Sequence, residues 1–172
     1  MAAEIVWFFG QSGAGKKTFI EALGRDVGLY DLVAVAPPIR IIRESIEWVE
    51  SPEMPEKRKR LLDIIEAAVK AEPGTSIVVK GQDPDLINEL PLHICDRLPA
   101  NRHRIVFVTS KGDEVYRRWQ LRRWPHERAA VDRELKGQME HMRRLAGHDF
   151  LISGLDATGP EYRNVTLTFL EN

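Results

Sequence analysis

The chain has 172 residues, 43% of them hydrophobic and 30% charged, with a formal net charge of −1. That length suits one domain with a sizeable core, here taken as 1–172, and the even charge excludes a global pull toward nucleic acid or a membrane surface. One cysteine, Cys95, excludes an internal disulfide and suits a reducing, cytoplasmic setting. No basic segment precedes the first apolar run, as a signal peptide requires, and no apolar stretch is long enough to span a bilayer.

Ile5-Val6-Trp7-Phe8-Phe9 reads as a first strand. Gly10-Gln11-Ser12-Gly13-Ala14-Gly15-Lys16-Lys17-Thr18 follows it and leads into the amphipathic Phe19-Ile20-Glu21-Ala22-Leu23. Leu32-Val33-Ala34-Val35-Ala36 reads as a second strand stopped by Pro37-Pro38, and 39–50 as a helix with Pro38 in its first turn. After Ser51-Pro52 comes a long helix over 55–72, with Leu61, Ile64, Ile65 and Ala68 on one face. Pro73-Gly74 ends it, and Ile77-Val78-Val79 forms a short buried strand followed by the loop Gly81-Gln82-Asp83-Pro84. Helical turns interrupted at Pro91 lead to a strand at Ile105-Val106-Phe107-Val108. A helix over 112–123, broken at Pro125, precedes a second over 126–145 with Val131, Leu135, Met139 and Met142 on one face. Phe150-Leu151-Ile152 is a fifth strand, and the alternation of Val165, Leu167 and Phe169 with threonines suggests a final half-exposed one.

Apolar strands alternating with helices predict an α/β fold: a doubly wound parallel sheet of about five strands, helices on both faces, and an extra C-terminal strand. Ligands bind at the carboxyl ends of such strands, so the loops after Phe9, Ala36, Val79, Thr109 and Ile152 are expected to face one site.

Strand, glycine-rich turn and helix together make residues 10–18 a phosphate-binding loop. Its glycines let the backbone point N–H groups inward, and the helix adds its positive end. Gly10, Ser12, Gly13, Ala14, Gly15, Lys16, Lys17 and Thr18 are the candidate nucleotide contacts. Lys16 is expected to reach the outer phosphates and Thr18 an inner one. The second signal is Arg117, Arg118, Arg122 and Arg123, placed after the fourth strand. Arginines at helical spacing can neutralise a moving phosphoryl group. Asp113, Glu114, Glu127 and Asp132 lie close enough in sequence to make the same helix simply salt-bridged.

On these residues the chain resembles the small P-loop kinases: nucleoside monophosphate kinases, shikimate- and gluconate-type kinases, and the kinase part of polynucleotide kinases. The likeness is specific in residues 10–18. It implies an ATP site, a lid-like arginine segment over 112–147, an adenine-side loop over 153–159, and a neighbouring acceptor site. Arg40, Arg43, Lys80 and Asp83 are the candidate acceptor contacts. The departures concern the metal. The hydroxyl expected after the loop lysine is replaced by Lys17, the acidic residue often ending the third strand by Lys80, and the acidic residue after the second strand by Ala36-Pro37-Pro38. An ammonium has no lone pair for magnesium. These positions predict an anion site needing little or no magnesium, with Asp83 or Asp85 able to hold a metal through water or else to cap a turn.

Two other functions fit parts of the chain. Thr109-Ser110-Lys111-Gly112-Asp113 with Ser153-Gly154-Leu155 resembles the guanine-reading elements of a GTPase, although no Asp-x-x-Gly follows the third strand. Lys17, Lys80 and Pro37 suit a non-catalytic nucleotide-binding module. Nucleic acid is a less favoured acceptor, through the basic run Lys57-Arg58-Lys59-Arg60 and the arginine helices. The five histidines show no metal-ligand spacing. The expected function is binding of ATP, or GTP, with transfer of the terminal phosphoryl group to a small molecule or nucleotide if the protein is an active kinase.

Overall fold

A computed structural model describes residues 4–43, 54–124 and 126–171. Strand β1 (Glu4–Phe9) is followed by helices α1 (Lys16–Leu23) and α2 (Gly28–Leu32), then β2 (Ile39–Ile42). Next come α3 (Met54–Ala71), β3 (Ser76–Lys80), α4 (Asp83–Ile87), α5 (Leu90–Arg97) and β4 (Arg102–Thr109). Helices α6 (Gly112–Leu121) and α7 (Arg128–Ala146) precede β5 (Leu151–Asp156), β6 (Arg163–Val165) and a 3-10 turn at Thr168–Leu170.

The sheet order is β2-β3-β1-β4-β5-β6. The first five strands are parallel, and β6 runs antiparallel to β5. This is an α/β doubly wound sheet, and its period-two alternation sorts one strand's side chains between two cores. Ile5, Trp7 and Phe9 face α3, α5 and α7, where they meet Ile65, Ile94, Met142 and Leu145. Val6 and Phe8 face α1 and meet Phe19, Ile20 and Leu23. These five β1 side chains are essentially fully buried, each worth roughly 1.5–3 kcal/mol by transfer from water. That anchorage fixes where β1 ends, and with it the start of the glycine loop. Among the described residues no helix is long and apolar enough to cross a membrane.

The structure corrects the sequence reading at several elements. Leu32 to Ala36 is not a strand: Leu32 ends α2 and the rest is irregular. Val33 and Val35 are buried while Ala34 and Ala36 are exposed, so the segment copies strand periodicity without a ladder. Its freed carbonyls, Val33 O and Ala34 O, accept instead from the Arg104 guanidinium, which also pairs with Glu4. The second strand is Ile39–Ile42, placed where a helix was expected over 39–50. Three isoleucines on the open edge of β3 gain a parallel ladder there, from Ile39 opposite Ser76 to Ile42 opposite Val79. The remainder of that expected helix and the Ser51-Pro52 break lie outside the described residues, as does the break at Pro125. Pro91 does not interrupt a helix but sits in the first turn of α5, after Glu89 in the left-handed region. The fifth strand continues to Asp156, so Ser153 to Leu155 are strand residues, not loop. The last strand is Arg163–Val165, and Phe169 lies in the 3-10 turn with its ring edge-on to Phe107.

Candidate phosphate-binding site

The loop between β1 and α1 sits at the central strand of the sheet, between β3 and β4. Gly10 passes so close to β4 that a Cβ there would lie 2.3 Å from Val108 O. Gly15 is the N-cap of α1 with φ 104, a left-handed value that a side chain disfavours. No side chain caps α1 and no acid lies in its first turn, so its leading N–H groups stay open to an anion.

The outer side of the loop is braced, carbonyl by carbonyl. Trp119 Nε1 donates to Ser12 O at 2.6 Å, Arg118 Nη1 to Gly13 O at 2.8 Å, and Ser110 Oγ to Ala14 O at 2.8 Å. The Trp119 ring also packs on Gly13, where a Cβ would lie 3.0 Å from it. Gln11 turns inward and donates through Nε2 to Val131 O at 2.7 Å. Of the loop amides, Ser12 N–H donates to Glu134 and Ala14 N–H to Gln11 O at 3.0 Å, so the anion-facing donors are the leading amides of α1.

Three adjoining cavities line that side. The first, about 470 Å³, lies between Gly15, Thr18, Arg118 and Arg122 and the loop after β5, with Ala157, Thr158 and Tyr162. The second, about 430 Å³, is lined by Lys16, Lys17, Thr18, Lys80, Arg122 and Trp124 with loop glycines. The third, about 350 Å³, shares Lys17 and Lys80 with the second and adds Glu21, Ile41, Ile42 and Arg43. They form a cleft running from the loop after β5 to the carboxyl end of β2.

Within it Lys16 is half-buried, and its ammonium donates to Gly10 O and, at 3.3 Å, to Gln11 O. Burial lowers its pKa to about 8, against the opposing pull of Asp83, Glu134 and Asp85. Asp83 accepts from Gln138 Nε2 at 2.6 Å, and Glu134 accepts from the Ser12 N–H at 3.1 Å. Burial raises Asp83, and it lifts Glu134 to about 7 with help from the nearby Asp83 charge. Asp85 is buried, lifted to about 7 by desolvation, and accepts the Gln82 N–H at 2.9 Å as a cap would. Among the described residues its other oxygen has no hydrogen-bond partner.

The arginines divide. Arg118 reaches Gly13 O, Ser110 Oγ, Ala157 O and Thr158 O, so it ties the phosphate loop to the loop after β5. Arg122 lines two cavities and lies over Trp124 at 5.3 Å. Arg117 is exposed and paired with Glu114, and Arg123, exposed at φ 57, lines none of the three cavities. Arg43 enters the third cavity, but Arg40 lies within β2 and pairs with Glu72 at 3.7 Å, away from the cleft. Asp83 faces Lys16 and lines none of the three cavities. The 112–147 segment is not a free lid: α7 contributes Met142 and Leu145 to the main core, and Val131 packs with Val115 and Trp119.

Glu134, Gln138, Gln11, Ser110 and the role of Trp119 were missed in the sequence. Glu134 and Gln138 do leave a signal. They are polar residues on the same helical stripe as Val131 and Met142.

Sheet order and a loop of this form at the central strand define the small P-loop kinase fold. Two solved structures share the fold, and a third is similar at a lower score. A chain of the PezAT chromosomal toxin–antitoxin system of Streptococcus pneumoniae aligns with TM-score 0.53 at 14% identity, over 98% of this chain and 75% of that one. The tunicamycin resistance protein of Deinococcus radiodurans aligns with TM-score 0.52 at 14% identity, over 91% and 88%. Deoxyadenosine kinase from M. mycoides with bound dCTP aligns with TM-score 0.49 at 14% identity, over 97% and 95%. No protein-family model matches the chain, and no curated protein matches it by sequence.

Proposed function

We propose that the chain binds a nucleoside triphosphate, ATP first, and transfers its terminal phosphoryl group to an acidic or hydroxyl-bearing small molecule or nucleotide. The braced loop carries this reading, because three successive carbonyls are tied to side chains and the leading amides of α1, uncapped by any side chain, are left to meet phosphate. The base would occupy the cavity beside Thr158 and Tyr162, the phosphates the lysine-lined cavity, and the acceptor the cavity holding Arg43. Lys16 would leave Gly10 O and Gln11 O for the phosphates, and Arg122 would neutralise charge as the group moves. The setting is cytoplasmic, in keeping with a lone unpaired cysteine.

GTP fits less well. Asp113, the residue that would read guanine, is 97% exposed in its side chain and pairs with Arg128. Ser153 to Leu155 lie inside β5. The basic run on α3 lines none of the three cavities, which disfavours nucleic acid as acceptor. A second reading, nucleotide binding without transfer, draws on Lys17 and Lys80. Calorimetric titration of ATP, ADP and GTP tests the binding. Lys16→Ala should abolish it, and unchanged affinity in that variant would refute the nucleotide site. Phosphoryl transfer to no acceptor, with binding retained, would select the second reading.

A further inference from the structure

Magnesium is implied by the fold, and the residues of this chain do not fit it. The cavity beside the loop is lined by Gln11, Lys16, Lys17, Thr18, Lys80, Arg122 and Trp124 with loop glycines. That wall contains four cations and no carboxylate, imidazole or thiol. Protonated amines and guanidinium offer a metal no lone pair and repel its charge. Of the nearby acids, Asp83 accepts from Gln138, Glu134 from the Ser12 N–H and Asp85 through one oxygen from the Gln82 N–H; none of the three lines this cavity, and Glu21 lines the adjoining one. Among the described residues no three acidic, histidine or cysteine side chains converge as a cation would require.

Lys17 and Lys80 arrive from different elements, the first turn of α1 and the end of β3, and share the walls of two cavities. Among the described residues neither they nor Arg122 makes an ion pair. Burial, then Lys17 and Arg122, lower the Lys80 pKa, and Glu21 pulls the other way. Against the single carboxylate of Glu21, cations packed together this way repel one another unless a further anion lies among them.

We propose that Lys17 and Lys80, with Arg122, take the place of the metal, so that this loop holds a polyphosphate as a metal-free anion. The proposal rests on reading the loop as a phosphate site, and it does not require that the ligand carry a base. Magnesium, by masking the phosphates in solution, then weakens binding.

Two probes, ATP and inorganic tripolyphosphate, are titrated calorimetrically into the folded protein with excess magnesium and with chelator. The expected result is affinity in chelator equal to or tighter than in magnesium. The variant Lys17→Thr with Lys80→Asp should lose about tenfold or more in chelator and recover part of it with magnesium. Lys17→Thr alone, with circular dichroism to verify folding, serves if the double variant does not fold. Tripolyphosphate binding that depends on Lys17, with no ATP binding, would sustain this proposal and sink the nucleotide reading. Wild-type affinity that rises about tenfold with magnesium overturns it. So does failure of both probes to bind, or the lysine variants binding in chelator as wild type does.

Discussion

Trp119 and Ser12 are joined by a 2.6 Å hydrogen bond from the indole N–H to the loop carbonyl, and the same ring lies on Gly13. Helix α6 thereby shapes the phosphate loop from outside. Trp119→Phe keeps the ring and removes the donor. Leaving Ser12 O unpartnered should cost about 1–3 kcal/mol of stability. Trp119→Ala removes the packing as well and should cost about 3–5 kcal/mol. Urea unfolding of both variants checks the ranking; no loss in Trp119→Phe would mean that the indole N–H contributes nothing.

Arg118 and Arg117 are neighbours with opposite expected consequences. Arg118 bonds four groups across three loops besides pairing with Glu114, whereas Arg117 is exposed and, among the described residues, pairs only with Glu114. Arg118→Ala should lower both the unfolding midpoint and nucleotide affinity. Arg117→Ala should leave the midpoint where it is. Thermal unfolding alongside ATP titration distinguishes them, and a reversed order would count against the bracing role.

Glu134 provides a pH test. Its folded-state pKa is raised from 4.5 to about 7, chiefly by burial. A carboxyl raised in this way binds a proton more readily when folded than when unfolded. Its contribution is therefore fully favourable below the unfolded value and is lost as pH rises through about 7. Glu134→Gln should flatten that slope, with a smaller gap than wild type between unfolding free energies at about pH 5 and about pH 8. Asp85, raised in the same direction, leaves a residual slope. A wild-type stability that climbs from acid to neutral pH would contradict the shift.

Gly15→Ala should weaken nucleotide binding more than it weakens the fold. The backbone is at φ 104, and the new methyl would lie 3.1 Å from the Ala157 Cβ at the junction of loop and base cavity. A non-glycine residue in a sparsely populated region costs on the order of 1–3 kcal/mol. Equilibrium unfolding and ATP titration measured on one preparation would separate the two effects.

Residues 10–18 were legible because their function is a backbone property. Glycines that permit a tight anion nest, a preceding buried strand and a following helix can all be read locally. The parallel sheet was legible from its apolar strands for the same reason. The edge was not. Val33 and Val35 alternate with exposed alanines as strand residues do, and only Arg104, far along the chain, shows where their segment's carbonyls go. Arg40 and Arg43 are three positions apart in sequence, yet one pairs with Glu72 and the other enters the cleft. The strand carries them toward opposite ends of the sheet.

By itself the sequence determined that a glycine-rich loop closed by Lys16-Lys17 stands at the end of a buried strand. Tertiary structure alone decided which side chains brace that loop and which charges share its cleft. Trp119, Ser110, Glu134 and Lys80 reach it from four separate elements. Their convergence depends on how α6 and α7 pack on the sheet, a long-range outcome that local spacing does not encode.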